Sequence, residues 1–210
     1  MNTSIFAVDK SFDIKCRVIK WDEPGGLNLM PYGKYTKRTA SFDNLSKVLN
    51  QFTIHWSATY KASHMFEGLK MRGLSCNFMI DDDCDANGYA TIYQNLPIEF
   101  AGWSQGGPFN GYGPGVEIAN QPAAWQENWY DSNDQAKWKV PPHDTINAKI
   151  NGTTLKVHLP TQAQLNSLYQ LIWGYCELFP HIKPVFPRDS SGNLIYKKYA
   201  NAANHVGLLN

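Results

Sequence analysis

Phe52-Thr53-Ile54-His55-Trp56, running on into Ser57-Ala58-Thr59, is the stretch on which the fold turns. Its β-branched and aromatic residues predict a buried strand. His55 is the odd member. A lone histidine in an apolar strand is more often a hydrogen-bonded core residue than a ligand. A second strand-like stretch, Gly115-Val116-Glu117-Ile118-Ala119, carries the same kind of anomaly. A carboxylate there needs a partner or a task, because burying it alone is costly. Side chains alternate along a strand, so two such strands can point His55 and Glu117 into one cleft. A His and a Glu in one cleft suit a metal hydrolase, in which His binds zinc and Glu handles the proton.

Around these two stretches the elements alternate. Ser41 caps a short predicted helix over residues 41–50, with Phe42, Leu45, Val48 and Leu49 at helical spacing. Ser63 opens a second, carrying Met65, Phe66 and Leu69 and stopped by Gly73. Cys76–Ile80 and Ala90–Gln94 read as strands joined through an acidic run ending in Asn87-Gly88, a hairpin turn pair. The strongest helix spans residues 161–179. Thr161 and Gln164 form a capping box, and Leu165, Leu168, Ile172, Tyr175, Cys176 and Phe179 make an apolar stripe that Pro180 ends. Residues 1–40, with Pro24-Gly25-Gly26, Pro31 and Gly33, read as an irregular arm with one strand at Cys16–Ile19. Residues 121–159, rich in Trp, Pro, Asn and Asp, read as a loop-rich insertion. The fold class expected is therefore α/β: one domain over 41–210, a central mixed sheet flanked by helices.

Composition narrows the function. The 210 residues are 43% hydrophobic and 18% charged, which supports a real core. The formal net charge of +1 gives no field to draw nucleic acid. No apolar run is long enough to span a bilayer. The opening MNTSIFAVDKSFDIK has no basic head before an apolar run, so the chain is expected to be made in a cytoplasm without a secretory signal. Action outside would need a phage or a secretion machine for release. Cys16, Cys76, Cys84 and Cys176 lack CxxC spacing and read as free thiols.

The order of motifs resembles a known family. Thr53-Ile54-His55-Trp56-Ser57-Ala58-Thr59 is followed by Leu74-Ser75-Cys76-Asn77-Phe78-Met79-Ile80-Asp81, Thr91-Ile92-Tyr93-Gln94, Trp103-Ser104-Gln105-Gly106, Asn110, and Gly115-Val116-Glu117-Ile118-Ala119-Asn120. Phe179-Pro180-His181-Ile182-Lys183-Pro184 and Phe186-Pro187-Arg188-Asp189 come later. The ordered set is similar to that of the zinc-dependent N-acetylmuramoyl-L-alanine amidases, relatives of the peptidoglycan recognition proteins, over roughly residues 40–210.

The resemblance implies a peptidoglycan hydrolase that cuts the amide bond between N-acetylmuramic acid and L-alanine with a zinc-bound water. His55 would be a zinc ligand, and Glu117 would assist proton transfer. Asn77, Trp103, Ser104 and Asn110 would face the substrate. Asn77 and Ser104 stand where the family often has His; they can hydrogen-bond but carry no proton at neutral pH. The register of Gly207-Leu208-Leu209-Asn210 places the remaining ligands past Asn210, so the amidase-like domain is expected to be C-terminally incomplete. The 210 residues alone are expected to hold zinc weakly or not at all. His205 is the alternative second ligand, in a less suitable register.

Two other readings stand beside this one: a peptidoglycan-binding module of the same fold without catalysis, and an unrelated α/β structural protein. The other candidates read as ordinary. His64 opens a helix. His143 and His158 are structural or solvent-exposed, and His181 follows a helix end where a cation suits the dipole. Cys76 or Cys84 could serve as a nucleophile beside His55, but neither has a basic neighbour to lower its pKa. Asp81, Asp82, Asp83 and Asp85 match a calcium loop loosely, without its central Gly and bidentate Glu, and read as a solvated turn.

Overall fold

A computed structural model describes residues 3–107, 109–126, 129–150, 152–195 and 204–209. Asn210, where the family register places the approach to further ligands, lies outside them. The central sheet has six strands. Within it β5 (Gln51–Ala58) and β9 (Gly115–Asn120) lie side by side and run parallel. β6 (Phe78–Ile80) lies parallel to β9 on the far side, and β12 (Gly207–Leu209) lies parallel to β5. β7 (Ile92–Gln94) pairs antiparallel with β6 and carries β3 (Val18–Lys20) at the edge. The mixed α/β sheet expected from the sequence is the one observed.

The sheet's alternation sorts its side chains into two cores. Phe52, Ile54, Phe78, Ile80, Val116, Ile118, Ile92, Val18 and Leu208 share one face. Helix α5 (Gln162–Leu178) covers it with Leu171, Ile172 and Tyr175, and α1 (Phe42–Val48) adds Leu45. The α5 capping box of Thr161 and Gln164 forms as expected. Met79 and Ala119 lie on the opposite face, packed with Met65 and Leu69 of α2 (Ala62–Met71). Helix α2 begins one residue earlier than Ser63 suggested. Its N-cap, Lys61, gives no side-chain cap; Asp81 Oδ1 on the neighbouring loop accepts the Ala62 N–H instead (2.8 Å). A tertiary carboxylate thus replaces a local cap.

Two segments hold more regular structure than the sequence showed. Residues 3–40 contain four short strands where one was expected. They are the hairpin β1 (Ser4–Ala7) and β2 (Lys10–Asp13), then β3 and β4 (Tyr35–Lys37). Ile5, Ala7, Ile14, Cys16 and Val18 pack in the same core as the central sheet. Turn formers dominate the arm's composition, but its short strands are stabilised by α5 and by Gln94, whose Nε2 donates to Phe6 O (2.6 Å). The segment expected to be a loop-rich insertion, 121–159, also contains regular elements. It holds α4 (Ser132–Trp138) and a six-pair hairpin of β10 (Thr145–Ile150) with β11 (Thr153–His158). Helix α4 packs by stacking Trp138 on Tyr60, ring centroids 5.8 Å apart.

One buried hydrogen bond between side chains ties this segment to the sheet. Asp82 Oδ2 meets His143 Nε2 at 2.9 Å, and neither side chain is exposed. His143 Nδ1 contacts Leu159 O at 2.7 Å, and its ring stacks on Tyr130 at 3.8 Å. The acidic run is therefore not a solvated turn. Asp81, Asp83 and Asp85 accept from the N–H groups of Ala62, Thr91 and Tyr89, and Asp82 is fully buried. Among the described residues no helix is long and apolar enough to cross a membrane.

Removing His143 leaves the buried Asp82 carboxyl without its side-chain hydrogen-bond partner. We expect His143→Ala to lower unfolding free energy by about 1–3 kcal/mol, read from urea melts. A loss under about 1 kcal/mol would show that the pair is not what holds the segment.

Candidate active site

Register decides what faces what. On β5 the set Thr53, His55 and Ser57 faces away from the α5 core, as do Gly115, Glu117 and Ala119 on β9. His55 stands opposite Glu117, and Glu117 has Met79 on its other side. The two residues singled out in the sequence are therefore neighbours on the α2 side of the sheet.

Their electrostatics differ from those of exposed groups. Burial pushes the Glu117 carboxyl from its ordinary 4.5 up to about 7, against the pull of Arg72 at the end of α2. Burial also lowers the His55 pKa, so its imidazole is neutral at pH 7. His55 Nε2 is buried with no hydrogen-bond partner. A neutral ring nitrogen without a protein partner can still accept a hydrogen bond. Burial and the nearby Glu117 charge hold the Cys76 thiol well above its ordinary value, and Cys76 is fully buried, so it is not a nucleophile. The four cysteines are free thiols.

The other predicted residues separate into two groups. Trp103, Ser104 and Asn110 line a pocket of about 720 Å³ with Thr36, Arg38 and Leu74. Trp103 is 42% exposed, with the Lys34 ammonium 5.7 Å from its ring centroid. Neither His55 nor Glu117 lines this pocket. Asn77 does not reach it: it is fully buried, and its Nδ2 donates to Pro97 O (3.1 Å) and Phe100 O (2.9 Å). It supports the chain entering β8 (Phe100–Gly102) rather than facing a ligand.

Sequence reading missed Gln105, which links the pocket loop to the His55 strand. Thr53 Oγ1 donates to Gln105 Oε1 (3.0 Å), and Gln105 Nε2 donates to Gly113 O (3.2 Å). A Cβ at Gly115 would lie 2.7 Å from Gln105 Nε2 and displace that side chain. At Gly113 a Cβ would lie 1.7 Å from the Gln51 main-chain oxygen, so only glycine fits. No residue spacing announces Gln105; its partners are distant in sequence.

His205 is not brought to His55. Gly207 pairs with Gln51, and His205 lies two residues before that level. Gln51 is itself about 13 Å from His55 at ~3.3 Å per residue. The His205 Nε2 meets Val185 O at 2.9 Å. Among the described residues no group of three His, Cys, Asp or Glu could hold a metal ion.

No family model and no curated protein matches the chain. Among solved structures it is similar to AmpDH3 from Pseudomonas aeruginosa, at 16% identity and TM-score 0.42, covering 74% of this chain and 50% of that one. The complex of AmpDH3 with anhydromuramic pentapeptide gives 17% and 0.43 over the same shares. The N-acetylmuramyl-L-alanine amidase AmiD from E. coli, in complex with the substrate anhydro-N-acetylmuramic acid-L-Ala-D-gamma-Glu-L-Lys, gives 14% and 0.45, covering 87% of this chain and 54% of that one. The chain thus spans about half the length of the structures it matches. Likeness at this level leaves the chemistry to be read from the side chains.

Because its folded pKa is raised, Glu117 binds its proton more tightly in the folded state. The stability this contributes is fully present below pH 4.5 and is lost as pH rises through about 7. We expect Glu117→Gln to remove that decline, so the urea-midpoint difference between variant and wild type grows from pH 4.5 to 7 and then levels. A difference independent of pH would mean that Glu117 titrates as an exposed carboxylate.

Proposed function

We propose that this chain carries the hydrolytic site of a peptidoglycan amidase that cleaves the bond between N-acetylmuramic acid and L-alanine. The observation that carries the reading is the register of β5 and β9: it sets a neutral His55 with a free buried nitrogen beside a Glu117 titrating at about 7. The ordered motifs around these two residues, similar to the zinc amidases, supply the substrate class.

Glu117 is suited to both halves of amide hydrolysis, since a pKa near the working pH favours taking and returning a proton. It takes a proton from the attacking water as that oxygen bonds to the carbonyl carbon. It then delivers the proton to the departing nitrogen as the C–N bond breaks. Trp103 offers an apolar ring face for a sugar or a peptide stem, and Ser104 and Asn110 offer polar contacts beside it. In the family that the motifs resemble, a zinc ion polarises the carbonyl and activates the water. A catalytic zinc takes about three protein ligands; His55 offers one, and the described residues do not complete the set. The proton steps assigned to Glu117 do not depend on it. The second reading, a binding module of the same fold, is favoured by the distance in function between the pocket and the pair: neither His55 nor Glu117 lines it.

Cleavage of purified sacculi, followed as newly exposed L-alanine amino groups, separates the readings. Glu117→Gln is expected to slow turnover roughly 10²- to 10⁴-fold with the circular dichroism unchanged. His55→Ala should abolish turnover and leave the fold. Wild-type turnover should rise as pH increases through about 7, where Glu117 loses its proton. Near-normal cleavage by both variants would sink the assignment. A wild-type chain that binds sacculi in co-sedimentation but releases no amino groups would make it a binding module.

A further inference from the structure

Arg38 follows β4 at the mouth of the pocket and is surrounded by main-chain oxygens. Its Nε donates to Gly111 O (3.2 Å). Its Nη1 donates to Ile98 O (2.8 Å) and Phe100 O (2.5 Å). Its Nη2 donates to Asn110 O (2.7 Å) and Gly113 O (2.6 Å). A guanidinium has five N–H groups, and each finds a carbonyl here. No carboxylate pairs with it among the described salt bridges. Burial lowers its pKa to about 10, which still leaves it charged at neutral pH. The Glu99 charge also favours the cation, but all five donors go to carbonyls, which makes Arg38 a fastener for the main chain.

What it fastens is the pocket wall. The carbonyls come from both ends of one segment, residues 98–100 and 110–113, and between them lie Trp103, Ser104, Gly106 and Gly107, all of which line the pocket. Gly106 and Gly107 adopt positive φ of 77° and 50°, and glycines there give the loop little stiffness of its own. Asn110 Oδ1 accepts from Gln105 N (2.9 Å), so the loop's interior bonds also depend on where its ends are held.

We infer that Arg38 is the positioning residue of this pocket: by closing the loop over 98–113 it sets Trp103, Ser104 and Asn110 in the shape that receives a muramoyl peptide. The identity of that ligand rests on the proposed function; the fastening rests on the structure. Lysine cannot replace it, because an ammonium offers three donors from one point where five carbonyls diverge.

The test compares wild type with Arg38→Lys in the full chain. Binding of N-acetylmuramoyl-L-alanyl-D-isoglutamine is followed by tryptophan fluorescence, alongside kcat on sacculi and thermal melting. Arg38→Lys is expected to raise the dipeptide Kd about tenfold or more, as losing hydrogen bonds to a charged group does, and to change kcat less than about threefold. A residue that only stabilised the fold would lower the melting temperature and leave Kd unchanged, and that result overturns the inference. So does a wild-type chain that does not bind the dipeptide. If wild type binds it but cleaves no sacculi, the hydrolase reading fails while the Kd comparison still decides the role of Arg38. Should Arg38→Lys not fold, wild-type amide exchange decides. Protection across 98–113 supports the fastening, and exchange there at the unprotected rate overturns it.

Discussion

The parallel pairing of β5 with β9 is the constraint on which the rest depends. It aligns Ile54 with Val116 and puts Ile118 on the same face, which α5 covers. Because side chains alternate, the same alignment must set His55 against Glu117 on the other face. A slip of one residue would bury the carboxylate in the α5 core and expose two aliphatic side chains. Packing on one face therefore fixes the chemistry on the other. The polar pair is held in place by apolar residues that never touch it.

The molecule buries charge in three different ways. Asp82 and His143 share a hydrogen bond at 2.9 Å, with burial raising the Asp82 pKa and the imidazole opposing it. Arg38 stays charged inside a ring of carbonyls. Glu117 has neither arrangement, and its affinity for a proton rises instead. Only the last leaves a group ready to exchange protons near neutrality. The first two suit architecture, since a fully compensated charge has nothing left to offer a substrate.

These roles connect. The Asp82–His143 pair holds the segment containing α4, whose Trp138 meets Tyr60 just past the end of β5 and His64 on α2. Arg38 holds the loop whose Gln105 reaches Thr53, one pleat from His55. The two segments thus meet the same strand near its two ends, at Thr53 and at Tyr60, each tied by a buried side chain. The candidate site is bounded by irregular chain and rests on the sheet.

The sequence by itself determined the mixed sheet and its main helices, and it singled out His55 and Glu117. Local signals carried them: β-branched runs, a capping box at Thr161, and a His and a Glu each out of place in an apolar strand. It did not show the short strands β1, β2, β4, β10 and β11 or helix α4, because these are turn-rich and lean on partners far along the chain such as Gln94 and Tyr60. Only tertiary structure decided that Asn77 serves the backbone, that Asp82 and His143 are partners 61 residues apart, and that Arg38 and Gln105 shape the pocket. The physical reason is the same in each case. A polar side chain looks alike in sequence whether it faces water, a carbonyl or a ligand, and burial, which distinguishes them, is a property of contacts between residues far apart along the chain.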